Sequence, residues 1–274
     1  MIGRAEASEM FFEPDFAALL AEDERSFDAM LAIDGTVYRA LEGRRTVRFL
    51  RGGRSFFIKQ HRGVGWREIT KNLLYLRLPV VSARNEWMAI RHLSAVGIGT
   101  ARLVGGGVRG RNPARLESFV VTEDLGDTVS LEEMTKPWRD APPDPAFKRR
   151  LIREVADIAR RMHRSGLNHR DFYLCHFRRE RHGDRICLID LHRAQIRART
   201  PQRWIVKDLS GLYFSSLTIG LTRRDLYRFM TAYAGRPLRD LLARDARFWR
   251  RVERKAFRLF RKLNGVDPPS AGGG

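Results

Sequence analysis

What this 274-residue chain can become is decided first by a change of hydrophobic period along its length. Residues 36–41 (Thr-Val-Tyr-Arg-Ala-Leu), 46–50 (Thr-Val-Arg-Phe-Leu) and 55–59 (Ser-Phe-Phe-Ile-Lys) read as β, with turns at 42–44 and at Gly52 and Gly53. The spacing predicts three consecutive short antiparallel strands. From residue 147 onward the apolar positions recur every three or four residues, as in Leu151, Val155, Ile158, Ala159 and Met162. Helices are therefore expected over 147–163, 204–217, 222–233 (started by Thr222) and 248–263. Strands collected in the first half and helices in the second predict an α+β chain, and 43% apolar residues suffice for its core.

The remaining stretches fill in this outline. Before Gly35, Phe16, Leu19, Leu20, Phe27, Met30 and Leu31 have helical spacing and predict one or two short helices on the outside of the sheet unit. A helix is expected from the N-cap Ser82 to about Val96, with Glu86, Ile90 and Leu93 on one face. Residues 104–108 and 118–122 predict a second hairpin, after which the chain turns polar at Glu123, Asp124, Leu125 and Gly126. The Gly-Val-Gly-Trp turn at 63–66 reads either as a flap near a substrate or as an ordinary loop anchored by Trp66. Residues 136–145 are a loop, and 270–274 have the composition of a disordered tail.

The formal net charge is +20, and only seven of the 52 basic residues are lysine. Such a field favours an acidic partner or surface, although an arginine-rich composition can also reflect genomic base content. The two cysteines show no metal or redox spacing, which fits a reducing compartment. The N-terminus has no basic-then-apolar leader, and no apolar run approaches the ~20 residues of a membrane span. The basic amphipathic stretch 248–263 suits either a membrane surface or a final packing helix.

Chemistry concentrates in residues 168–176 (Asn-His-Arg-Asp-Phe-Tyr-Leu-Cys-His) and 186–192 (Ile-Cys-Leu-Ile-Asp-Leu-His). The first places Asp171 on a polar loop after a helix; the second delivers Asp190 to the end of an apolar strand. Two such carboxylates suit metal-assisted phosphoryl transfer. One accepts or orients the proton of a substrate hydroxyl while the other holds Mg²⁺ on the nucleotide phosphates. His169, Arg170 and Asp171 match the H-R-D of protein kinases. Five residues beyond Asp171, His176 stands where those enzymes carry Asn, and D-F-G has become Asp190-Leu191-His192. Lys59, closing an apolar strand in a lysine-poor chain, reads either as an edge-strand lysine or as the point charge on the phosphates. Glu86 is its expected partner and Glu68 the rival. Glu123 and Leu125 lie where kinase backbone groups bond adenine, and a plain hairpin exit fits the same residues. Asp208, on an apolar helix, can brace the catalytic-loop backbone or pair with Lys207.

Taken together, 57–59, 61–69, Asn85-Glu86-Trp87, 169–177 and 188–195 (Leu-Ile-Asp-Leu-His-Arg-Ala-Gln) resemble the lipopolysaccharide core heptose(I) kinases of the WaaP/RfaP type. The resemblance spans about residues 11–265. It implies a bilobal protein-kinase-like fold: N-terminal extension helices over 1–34, an antiparallel-sheet N-lobe over 35–125, and a mainly helical C-lobe over 126–265. It implies transfer of the ATP γ-phosphate to the 4-hydroxyl of the first inner-core heptose, on the cytoplasmic face of a Gram-negative inner membrane. Asp171 becomes the catalytic base within His169-Arg170-Asp171, Lys59 the phosphate lysine, Glu86 its partner, and Asp190, with His176, the Mg²⁺ site. A nitrogen ligand at 176 is soft for Mg²⁺, and the path from Asp190 to Lys207 has no A-P-E segment for regulation. The implied partners are the lipopolysaccharide core, an anionic membrane surface and an acidic protein such as an acyl carrier protein, with no nucleic acid. Two other readings fit the residues: a protein kinase that autophosphorylates on tyrosine, and a non-catalytic kinase-like module that binds anionic membrane or nucleic acid through its basic surface.

Overall fold

Alternating apolar residues build a six-stranded antiparallel sheet in the computed structural model, which describes residues 8–41, 43–63, 65–66, 70 and 82–269. Its strands are β1 (Ser8–Phe12), β2 (Thr36–Leu41), β3 (Arg44–Arg51), β4 (Arg54–Arg62), β6 (Leu103–Arg109) and β7 (Glu117–Glu123), in the order β1-β6-β7-β4-β3-β2. The short strand β5 (Gly99–Thr100) belongs elsewhere. The chain folds into two compact units, the first made of Met1–His92, Ala101–Gly126 and Leu191–Arg193, the second of Leu93–Thr100, Asp127–Asp190 and Ala194–Gly274.

In the first unit, period two sends Phe56, Ile58 and Gln60 of β4 to one face of the sheet and Phe57, Lys59 and His61 to the other. The first face is covered by α1 (Pro14–Ala17) and α2 (Phe27–Ala32): Phe16 and Met30 are fully buried against Val47, Phe49, Phe56 and Ile58. Gln60 locks this layer by donating to the carbonyls of Met30 and Ile33 at 3.0 and 3.1 Å. The N-terminal helices pack on this face of the sheet and give Phe16, Phe27, Met30 and Leu31 to its core cluster, because two isolated helical turns cannot bury such side chains on their own. β1, too short and mixed in pattern to announce itself, joins the edge through β6.

The helix α3 (Arg84–Ala95) carries buried Glu86, Trp87, Ala89 and Ile90. Trp87 meets Phe11 edge-on at 5.6 Å, and both rings press on the glycine run of β6. A Cβ at Gly106 would stand 2.8 Å from the Trp87 ring and 2.9 Å from Phe11. Gly106→Val is expected to lower stability by about 2–3 kcal/mol through overpacking, read as a lower denaturant midpoint at unchanged slope.

The second unit is mainly helical. Its α-helices are α4 (Leu131–Thr135), α5 (Pro145–Arg164), α6 (Gln202–Ser216), α7 (Arg223–Ala234), α8 (Leu238–Arg244) and α9 (Ala246–Asn264). A four-stranded sheet adds β8 (Thr128–Ser130), β10 (Phe177–Glu180) and β11 (Ile186–Leu188) to β5, in the order β5-β11-β10-β8. β9 (Leu167–Asn168) pairs with β12 (Gln195–Ile196). Local signals set the helix ends: Asp144 caps α5 ahead of Pro145, and Thr222 and Asp225 form a capping box on α7. An ion pair between half-buried Lys148 Nζ and buried Asp225 Oδ2, at 2.9 Å, joins α5 to α7.

The C-terminal helix α9 resolves one choice the sequence left open. Its stripe Val252, Ala256 and Phe260 is buried within the unit, so α9 is a packing helix. The opposite face exposes eight cations between Arg247 and Lys262, with Glu253 among them.

Candidate active site

In the first unit, Lys59 Nζ lies 2.5 Å from Glu86 Oε1. β4 presents the lysine on the face that α3 covers, and Glu86 sits one turn into α3 on its inward stripe. The carboxylate is 5% exposed and the lysine 28%. The second oxygen, Oε2, is buried with no hydrogen-bond partner among the described residues, so the lysine is its main counter-charge. The rival Glu68 lies outside the described residues, as do 67, 69 and 71–81. Trp66 is 59% exposed, so burial of its ring does not anchor the Gly-Val-Gly-Trp turn.

His61, two residues beyond Lys59, is almost fully buried. Burial, with Arg44 and Lys59 adding repulsion, pushes its pKa down from 6.5 to about 3. The folded protein therefore keeps this imidazole neutral where the unfolded chain binds a proton. Stability from this group is complete above about pH 6.5 and is lost as pH falls toward 3, on the order of 1 kcal/mol per pH unit. His61→Leu should flatten the acid limb of a stability–pH curve, measured by urea unfolding between pH 4 and 7.

Glu123 ends β7 with its carboxylate already engaged by Arg54 and Arg102, which also hold Asp15. The Arg102 hydrogen bond keeps the Asp15 carboxyl well below the usual range. The Glu123 N–H donates to the Arg102 carbonyl at 2.9 Å and the Asp124 N–H to the Ser55 carbonyl at 3.0 Å. The next residue, Asp124, is pinned by Arg48 at 2.8 Å and by Ser55 at 2.9 Å, and Leu125 is half-buried beside the left-handed Gly126.

In the second unit, one face of α6 organises the H-R-D loop. Asp208 is fully buried and accepts the backbone N–H groups of His169 (2.7 Å, Oδ2) and Arg170 (2.8 Å, Oδ1). Gly211 lets the loop approach, since a Cβ there would stand 3.1 Å from the Phe172 carbonyl. Ser215 accepts the Leu174 N–H at 3.0 Å. Residues 208, 211 and 215 share one stripe of a 3.6-residue helix. Behind the loop, Phe172 packs on His163, His169 and Phe177.

The loop and the Asp190 strand end are tied together through residue 189. His169 Nε2 donates to the Ile189 carbonyl at 3.0 Å, and the Ile189 N–H donates to the His176 carbonyl at 3.0 Å. Burial lowers the His169 pKa, favouring the neutral ring, and the bond to a carbonyl places its proton on Nε2. Arg170 (φ 75°) and Asp190 (φ 61°) are the non-glycine residues in left-handed conformation among the described residues. Strain of this kind, roughly 1–3 kcal/mol each, persists where surrounding contacts over-determine it. Neither φ value has a signature in sequence.

His176 bridges the two acids. Its Nδ1 lies 2.6 Å from the Asp171 backbone carbonyl, which only accepts, so Nδ1 carries the proton. Its Nε2 then faces Asp190 Oδ2 at 3.5 Å. The Asp190 carboxylate is the hard oxygen donor that Mg²⁺ prefers, and the His176 imidazole is the softer, weaker member of the pair. Among the described residues no cluster of three or more His, Cys, Asp or Glu side chains forms a self-contained metal cage. The cysteines are free thiols, and burial pushes Cys175 up to about 11, which disfavours its thiolate at neutral pH.

Sequence reasoning named the acids, the lysine, His169, Arg170 and His176 as candidates, and it offered Asp208 as a brace. It passed over Gly211 and Ser215. Both lie on the Asp208 stripe at helical spacing, so that acid on an apolar helix was the signal available for them.

The lipopolysaccharide kinase (Kdo/WaaP) family matches residues 28–233. The lipopolysaccharide core heptose(I) kinase WaaP of Pseudomonas aeruginosa is 51% identical over 244 residues, covering 86% of this chain and 90% of that protein. Its Escherichia coli K12 namesake is 48% identical over 248 residues, 88% of this chain and 94% of that one. A solved structure, WaaP in complex with acyl carrier protein, superposes with a TM-score of 0.79 at 44% identity, covering 92% of this chain and 99% of that chain.

Proposed function

Because the chain belongs to the lipopolysaccharide kinase (Kdo/WaaP) family, we propose that it transfers the γ-phosphate of ATP to the 4-hydroxyl of the first heptose of the lipopolysaccharide inner core. The observation that carries this reading is the brace on the H-R-D loop. Both oxygens of buried Asp208 hold the backbone leading into Asp171, and His176 ties that loop to Asp190. In this reading Asp171 orients the heptose hydroxyl and accepts its proton as the phosphoryl group arrives. Lys59, held in place by Glu86, offers a point charge to the nucleotide phosphates. The backbone at Glu123 and Leu125 receives the adenine edge. Asp190 and His176 would hold Mg²⁺, which supplies charge neutralisation on the phosphate oxygens. The test is transfer of radiolabel from γ-labelled ATP. Label on purified lipopolysaccharide lacking core phosphate supports the reading, and label on the protein's own tyrosines favours a protein kinase.

The partners follow from charge and from the second unit's interior. Among the described residues no helix is long and apolar enough to cross a membrane. The exposed cations of α9 suit an anionic leaflet, to which basic residues contribute about 1 kcal/mol each near the surface. They suit an acidic carrier protein equally, and the structural relative was solved with one. A cavity of about 590 Å³ between α5, α6, α7 and α9, lined by Leu151, Val155, Leu212, Leu226, Met230 and Phe257 among others, is apolar enough for an acyl chain. Acylated carrier protein should therefore raise the melting temperature more than the unacylated form does. Equal shifts in a thermal melt would take the cavity out of the interaction.

A further inference from the structure

A hydrogen-bonded line runs through the second unit from α7 to the H-R-D loop. The Tyr233 hydroxyl, near the end of α7, lies 3.0 Å from His163 Nδ1, and His163 Nε2 lies 3.4 Å from Asp208 Oδ2. The same Oδ2 accepts the His169 N–H, while Oδ1 accepts that of Arg170. His163 and Asp208 are both buried. A carboxylate only accepts, so Nε2 of the imidazole carries a proton and donates to Asp208. In the neutral ring Nδ1 is then an acceptor, and the Tyr233 hydroxyl is the donor it meets. Burial, and after it the charge of Asp208, pushes the Tyr233 phenol well above its ordinary range, so that proton stays in place.

Packing holds the same line. The Tyr233 ring stacks on Phe229 at 6.1 Å and meets Trp249 of α9 edge-on at 5.9 Å and His163 at 5.8 Å. His163 also packs on Phe172 of the catalytic loop, at 6.2 Å. At 3.4 Å the bond from His163 to Asp208 is long, so it depends on the aim and the tautomer of the ring. Tyr233 sets both: with the proton on Nδ1 instead, Asp208 would lose this donor. Phosphoryl transfer as described above makes no use of His163 or Tyr233.

We propose that Tyr233 and His163 are positioning residues for phosphoryl transfer. The hydroxyl fixes the imidazole, the imidazole fixes the Asp208 carboxylate, and the carboxylate sets the backbone that carries Asp171. The proposal rests on the sugar-kinase reading. Both residues act through Asp208, so their contribution falls on the geometry of the reacting hydroxyl and therefore on kcat.

Steady-state kinetics of four variants, with ATP and the sugar acceptor, test this. Tyr233→Phe keeps the ring and removes only the hydroxyl. It is expected to lower kcat by roughly three- to tenfold, the worth of one hydrogen bond, with the KM for ATP and for the acceptor unchanged. His163→Leu should lose more, and His163→Gln, which keeps an N–H for Asp208, should recover part of that loss. Tyr227→Phe, on the same helix with its hydroxyl accepting from Arg223 at 3.2 Å, should keep the wild-type kcat. A Tyr233→Phe variant that melts lower but turns over like wild type would make the bond merely structural and overturn the proposal. Equal kcat in His163→Leu and His163→Gln would overturn it as well. The loop is read independently by amide hydrogen exchange over residues 168–176, which should quicken in Tyr233→Phe and not in Tyr227→Phe. Should no sugar acceptor turn over even in the wild type, the sugar-kinase reading is what fails. Exchange then decides: quicker exchange in Tyr233→Phe keeps the line to the loop, and unchanged exchange removes it.

Discussion

Asp171→Ala is expected to lower the rate of phosphoryl transfer by about 10²–10⁴-fold, the range that a positioned general base contributes. The fold should survive. Asp171 is only half-buried, and the contacts that shape its loop run through the backbone to Asp208, Ser215 and His176. Nucleotide binding should survive too, because Lys59 and Glu86 pair within the sheet unit without it. The measurement is kcat on the sugar acceptor beside nucleotide affinity by calorimetry. Wild-type turnover, or loss of nucleotide affinity in step with kcat, would remove Asp171 from the role of base.

Asp208→Ala should instead damage structure and activity together. The substitution orphans two buried N–H groups, each at about 1–3 kcal/mol, for a total of roughly 2–6 kcal/mol. For a chain of this size that lowers the melting temperature by roughly 10 °C. Arg170, released from Asp208, should relax from its left-handed conformation and carry Asp171 out of position, so kcat falls even at temperatures where the variant is folded. Asp208→Asn retains one acceptor oxygen and should lie between. A variant as stable as wild type would show that the loop finds other acceptors.

The sheet unit was legible because its strands alternate and its turns carry glycine: the predicted runs at 36–41, 46–50 and 55–59 lie within β2, β3 and β4. The long helices were legible because caps and apolar stripes coincide, as at Thr222 and along α5. What escaped was set by distant parts of the chain. β1 exists because an edge of β6 is open to it, and α1 and α2 become core because the face of β4 bearing Phe56 and Ile58 needs cover. β8, β10 and β12 are two to four residues long, too short to show a period. The site divided in the same way. Acids and lysine announce themselves by chemistry, and Glu86 by its place on an apolar stripe. The strained φ values of Arg170 and Asp190, and the tautomer of His176, follow from backbone partners that no local pattern encodes.

Phosphorylation of the first inner-core heptose is the activity on which the roles of Asp171, Lys59 and Asp190 all depend. It is read without intermediary by ³¹P–¹H correlation NMR on lipopolysaccharide lacking core phosphate, after incubation with ATP, Mg²⁺ and the purified protein. The expected spectrum holds one new phosphate ester, coupled to the proton at position 4 of that heptose and absent with Asp171→Ala. An ester on another sugar, or phosphate recovered only on the protein, would contradict it.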